Sequence, residues 1–117
     1  MNHQIPPISH DQLQAECFQW FWNEYPQFRG LLHANVNNAK NRIKGNQNKA
    51  IGVVKGVLDL EYFRQGKLYF FDIKVDRDKF SQAQHEFMTQ VINEGAKCYE
   101  IRSLHEFKTI IKQINND

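Results

Sequence analysis

A chain of 117 residues, 41% hydrophobic and 13% aromatic, is long enough for one domain with its own core. Charged residues make up 24%, close to an ordinary globular protein. A net charge of +2 excludes bulk coating of nucleic acid, so any nucleic-acid function needs a local basic patch. Cys17 and Cys98 stand far apart without metal-type spacing and read as thiols of a reducing compartment, with a disulfide as the other option. No signal-peptide pattern opens the chain and no window has the length of a membrane span. The expectation is a cytoplasmic protein with no membrane partner.

Taken in chain order, residues 1–8 form an irregular lead-in. "SHDQLQAECFQWFWNEYP" predicts a helix: Ser9 caps it, Gln12 completes a capping box, and Pro26 ends it. Phe18, Trp20, Phe21 and Trp22 crowd this helix beyond one face, so Phe18, Trp22 and Tyr25 are expected to pack on a partner subunit. "RGLLHANVNN" reads as a short strand. Residues 37–50 form a polar, Asn-rich, basic loop, expected to be the most mobile segment. A hairpin follows with its turn at Arg64-Gln65-Gly66-Lys67. Ser81 opens a second helix that Gly95 stops. "AKCYEI" is a strand, and Ser103 with Glu106 reads as the capping box of a last helix. The order α-β-β-β-α-β-α predicts a small α/β domain, a mixed sheet with helices packed on it.

The hairpin "GVLDLEYFRQGKLYFFDIKV" carries an acid in each strand. Alternate residues share a face, and counting outward from Gln65-Gly66 sets Asp59 opposite Asp72. Opposite residues have Cβ atoms about 4.5–5.5 Å apart, where like charges destabilise. The other face, with Leu58, Leu60, Tyr62, Tyr69, Phe71 and Ile73, is apolar. A divalent cation would compensate the two carboxylates, because Mg²⁺ or Mn²⁺ is held by one or two carboxylates with water completing the shell. Lys74 projects from the same face and could hold a phosphate or an activated water. The competing reading is a solvated acid pair on the open face of a sheet, with Lys74 as a surface neutraliser.

The helix Glu, Asp59 and the Asp72-x-Lys74 strand together resemble the PD-(D/E)xK nuclease superfamily. More narrowly, "GVVKGVLDL", "FDIKVDRDKFSQAQHEF" and "NEGAKCYEIRSLHEFKTII" resemble the VRR-NUC family, virus-type replication and repair nucleases. The resemblance spans about residues 11–114 and implies a single domain with a restriction-endonuclease-like core. It implies metal-dependent hydrolysis of DNA phosphodiesters, with branched DNA such as four-way junctions as substrate and a homodimer as the assembly. It also implies a bacterial or phage-infected cell as the setting. Carried over by position, Asp59, Asp72 and Glu16 would bind Mg²⁺ or Mn²⁺, joined by the backbone carbonyl of Ile73. Lys74 would be the catalytic lysine and Gln84 the glutamine that starts the second helix. Gln84 has a structural reading too, as the returning half of the Ser81 capping box.

Three features depart from the family pattern. Leu58 replaces the Pro before the first acid, Val54-Lys55 differ before the second glycine, and Asp72 replaces Glu. The last change shortens the reach of a ligand. It is the one hint of an alternative, a non-catalytic DNA-binding or assembly module on a nuclease scaffold. A sequence-specific restriction-type enzyme is disfavoured, because little chain remains for base readout. Lys40, Arg42, Lys44, Lys49, Lys55 and Lys79 are candidate phosphate contacts, or else a solvated basic loop. Asn35 and Asn37 follow the first strand as polar groups near the site. Five histidines show no paired spacing for zinc, and His33 and His85 are the two expected at the site edge. The glycines fit no nucleotide-binding pattern, so no small-molecule cofactor is expected.

Overall fold

The computed structural model describes residues 8–35 and 51–117. Lys40, Arg42, Lys44, Lys49 and Asn37, with most of the lead-in and the basic loop, lie outside the described residues. The elements are α1 (His10–Glu24), a 3₁₀ turn (Pro26–Phe28), β1 (Leu32–Ala34), β2 (Leu60–Arg64) and β3 (Lys67–Ile73). They continue with α2 (Gln82–Asn93), β4 (Lys97–Ile101) and α3 (Leu104–Asn115). The expected order holds. The strands form one sheet in the order β1-β2-β3-β4. β1 and β3 each run antiparallel to β2 between them, and β4 joins β3 in parallel through α2. The result is the mixed sheet flanked by helices that the pattern predicts.

The hairpin register follows the turn. Gln65 and Gly66 both adopt positive φ (50° and 77°), the requirement of a two-residue turn that matches strand twist. This pairs Arg64 with Lys67 and carries the count out to Leu60 opposite Phe71. Leu60, Tyr62, Phe71 and Ile73 are buried on one face under Leu13, Cys17 and Phe21 of α1 and Phe107 and Ile111 of α3. Each such side chain contributes about 1.5–3 kcal/mol on burial, so the hairpin is firmly anchored from this side.

The opposite face of β3 is closed by α2. The Phe70 ring meets Phe87 edge-on at 5.2 Å. Gly56 adopts φ +86°, and a Cβ there would overlap the backbone carbonyl of Ala83 at the start of α2. β3 is thus an inner strand covered on both sides, and the face expected to be open is not. Asp72 is 1% exposed and Lys74 7%, which removes the reading of a solvated surface pair for these two residues.

Two other expectations need correction. Tyr25 does not face outward: it is buried in the core against Phe21 and Phe28, and its hydroxyl donates to Asp117. Phe18 stays half-buried, and Trp22 is exposed with the Arg29 guanidinium over its ring. At α3, Ser103 accepts from the Glu106 amide, but the Glu106 carboxylate accepts from the Arg102 amide and the Ser103 hydroxyl instead of from the Ser103 amide. The box is shifted by one residue. Cys17 and Cys98 are both free thiols, which removes the disulfide option. Among the described residues no helix is long and apolar enough to cross a membrane.

Candidate active site

Asp59 lies one residue before β2, where the Asn35 amide donates to its carbonyl (2.9 Å) and the Asn35 side chain donates to the Leu58 carbonyl (3.1 Å). These bonds fix the backbone that presents the carboxylate. Extending the hairpin register by one residue sets Asp59 across from Asp72. The two are joined by side chains instead of a ladder bond. The Asp59 amide donates to Asp72 Oδ1 (3.2 Å), and the Ile73 amide donates to Asp59 Oδ2 (2.8 Å). Each acid is held by the strand of the other.

Lys74 and Gln84 complete the cluster. Lys74 Nζ stands 2.6 Å from Asp72 Oδ2 and donates to Gln84 Oε1 (3.0 Å). Gln84 Nε2 donates to the same Asp72 oxygen (3.2 Å). The Phe80 ring lies 4.9 Å from Nζ, and the His85 ring packs on Phe80. Gln84 is also the capping residue of α2: its Oε1 accepts from the Ser81 amide (3.0 Å), while the Ser81 hydroxyl accepts from the Gln84 amide (3.1 Å). Both readings of this glutamine hold at once. The cap locks the rotamer that aims the amide at Asp72 and Lys74.

Burial pushes the Asp72 carboxyl up to about 6; the Lys74 bond opposes that rise, and the Asp59 charge adds to it. Two carboxylates, Asp59 and Asp72, face a single buried lysine here. That is the electrostatic condition under which a divalent cation is favoured.

The helix acid is placed differently. Glu16 is exposed, and none of the hydrogen bonds that tie the site together runs to it. The α1 residue that reaches the acids is His10. Its Nε2 lies 3.0 Å from Asp59 Oδ2 and its Nδ1 3.4 Å from Asp11 Oδ1. Burial works to lower the His10 pKa, but the carboxylates of Asp59 and Asp11 together outweigh it and the net shift is upward. Six residues separate His10 from Glu16, which turns Glu16 about 120° away around the helix. No local pattern marks His10. It follows the cap Ser9 directly and meets Asp59 across 49 positions of sequence. Of the two histidines expected at the edge, His33 pairs with Glu61 (3.3 Å) beside Asp59, and His85 reaches only Phe80. Lys55 and Lys79 are exposed; they adjoin Gly56 and Phe80, both of which border the start of α2.

Among the described residues no group of three His, Cys, Asp or Glu side chains is placed to hold a metal ion. Mg²⁺ and Mn²⁺ do not require such a group. They keep several waters and are bound by one or two carboxylates. Asp59 and Asp72 offer hard oxygen donors on two strands that are rigidly tied together, so the residues present fit such an ion.

The topology is a mixed four-stranded sheet flanked by helices, with the acid–acid–lysine cluster on the face that α2 covers. A solved structure described as a "VRR_NUC domain protein" matches with a TM-score of 0.78 over 96% of this chain and 92% of that one, at 18% identity. The fold is therefore VRR-NUC-like. No family model and no curated protein matches the sequence.

Proposed function

We propose that this protein is a Mg²⁺- or Mn²⁺-dependent DNA endonuclease that hydrolyses phosphodiester bonds, selective for branched DNA such as four-way junctions and acting as a homodimer. The observation that carries the reading is the buried Asp72–Lys74 pair, bonded by Gln84 and facing Asp59, on a VRR-NUC-like fold. Asp59 and Asp72 would hold the ion, with the Ile73 carbonyl as a further candidate; exposed Glu16 could contribute only through water. When bound, the ion acidifies water and neutralises charge on the scissile phosphate.

The chain's own groups do the positioning. Lys74 Nζ is fixed by Asp72, Gln84 and the Phe80 ring. From there it orients the attacking water or stabilises the charge that develops on the phosphoryl oxygens. Lys55 and Lys79, which adjoin the start of α2, would contact the DNA backbone, and Lys40, Arg42, Lys44 and Lys49 are further candidate phosphate contacts by sequence. Such residues position DNA without reading its sequence. Branched DNA as substrate, the homodimer and the cellular setting rest on the family resemblance of the sequence.

The test is cleavage of labelled duplex, single-stranded, flap and four-way-junction DNA with Mg²⁺ or Mn²⁺. Wild type should cut, and Asp59→Ala and Lys74→Ala should lose at least about 100-fold in rate while keeping the native circular-dichroism spectrum. A wild type that retains DNA on a gel and cuts none of the panel would make the protein a binding module on a nuclease scaffold instead.

A further inference from the structure

We propose that His10 is a nitrogen ligand of the ion held at Asp59, and that it tilts the site from Mg²⁺ toward Mn²⁺ and later divalent ions. The inference rests on the metal-site reading above and adds a residue to it.

Three observations carry it. First, His10 Nε2 and Asp59 Oδ2 are 3.0 Å apart. Two donors each about 2.1 Å from one octahedral ion, at right angles, lie about 3.0 Å from each other. The pair already has the separation of neighbouring ligands. Second, Asp11 Oδ1 stands 3.4 Å from the other ring nitrogen. A carboxylate beside the far nitrogen of a metal-bound histidine fixes the ring and keeps the proton on that side, leaving the near nitrogen's lone pair for the ion. Third, His10 is set by structure on both sides. It is the first residue of α1, directly after the Ser9–Gln12 capping box, and Asp59 Oδ2 is itself pinned by the Ile73 amide. An ion bound there would replace the proton that His10 and Asp59 share, with both side chains kept in place.

The consequence for metal choice follows from ligand type. Carboxylate, carbonyl and water suit Mg²⁺ and Mn²⁺ alike, whereas imidazole raises affinity along the series from Mn²⁺ towards the later first-row ions. A site made only of Asp59 and Asp72 would discriminate weakly. With His10 it favours Mn²⁺ and Co²⁺ over Mg²⁺.

The experiment uses the full chain and needs no cleavage. Pulsed electron paramagnetic resonance on bound Mn²⁺ reads ¹⁴N coupling from a ligated imidazole, and calorimetry gives the affinities. The expected result is nitrogen coupling in wild type and its loss in His10→Gln. Mn²⁺ affinity should fall about tenfold or more in that variant, with Mg²⁺ affinity changing less than about threefold. Asp11→Asn should give a smaller loss with the coupling retained. Mn²⁺ bound in an Asp59-dependent manner, with no nitrogen coupling in wild type, overturns the role of His10 and leaves the carboxylate site standing. Mn²⁺ that does not bind wild type at all overturns the carboxylate site as well. The wild-type spectrum alone decides the first question, so the outcome does not depend on how well any variant folds.

Discussion

α1 and α2 start in the same way. In each, a serine hydroxyl caps the first turn, and a glutamine three residues later returns a bond to the serine amide: Ser9 with Gln12, and Ser81 with Gln84. The first glutamine is exposed and caps the helix. The second does the same and also bonds Asp72 and Lys74. The local code is identical, and the difference comes from what the tertiary fold brings alongside. α2 begins where Gly56 lets a loop pass against the Ala83 backbone and where β3 delivers Asp72. α1 contributes to the site too, but through His10 and not through its capping glutamine.

The close approach at Gly56 is the sharpest way to break this arrangement. Gly56→Ala faces both a strained positive φ and a clash with backbone atoms that cannot rotate away. We expect a loss of about 3 kcal/mol or more, together with loss of cleavage as the start of α2 shifts. Gly66→Ala in the hairpin turn is the control. It has positive φ but open space around its Cβ, so only about 1–2 kcal/mol should go. Urea denaturation of the two variants measures the contrast, and equal losses would mean that the Ala83 contact does not hold the two segments together.

The glutamines themselves come next in size. Gln12→Ala removes one exposed capping bond and should cost about 1 kcal/mol or less with cleavage unchanged. Gln84→Ala removes the same bond and also leaves buried Lys74 and Asp72 one partner short, a further loss of about 1–3 kcal/mol. Cleavage should fall about 10- to 100-fold, the usual effect of removing a residue that orients reacting groups. Matched cleavage rates in the two variants would reduce Gln84 to a cap.

The same contrast explains what the sequence could disclose. The strand order along the chain, the hairpin register and the caps are set by short-range rules: alternation, turn residues and serine–glutamine spacing. Asp59, Asp72 and Lys74 were therefore legible as a group, because one turn fixes their relation. Burial was not. Nothing local announces that α2 covers the second face of β3, and so the pattern alone leaves a solvated reading open, although Asp72 and Lys74 are nearly inaccessible. His10 and Phe80 were missed for the same reason, since each meets its partner through the packing of a separate element. Tyr25 misled in the opposite direction. Four aromatics exceed one helical face, but the chain turns at Pro26 and brings Tyr25 back over Phe21 and Phe28.

Tyr25 also supplies the smallest effect, at the end of α1 remote from the site. Burial, reinforced by its bond to Asp117, pushes its hydroxyl up to about 12 from an ordinary value near 10. Between about pH 10 and 12 the folded protein keeps a proton that the unfolded chain releases. Stability from this group is therefore whole below about pH 10 and falls as pH rises through that window. Tyr25→Phe should lose about 1 kcal/mol at neutral pH with the hydrogen bond and show a shallower alkaline decline. The decline will not vanish, because burial also raises Cys17 to about 12. Urea midpoints at pH 8, 10 and 11 would read both effects. Cleavage should be unaltered at neutral pH: α1 reaches the site through its first residue, and its last turn serves the core. A fall in cleavage matching that of Gln84→Ala would show instead that the two ends of α1 are coupled, and that the division between a helix that supports and a helix that acts is drawn in the wrong place.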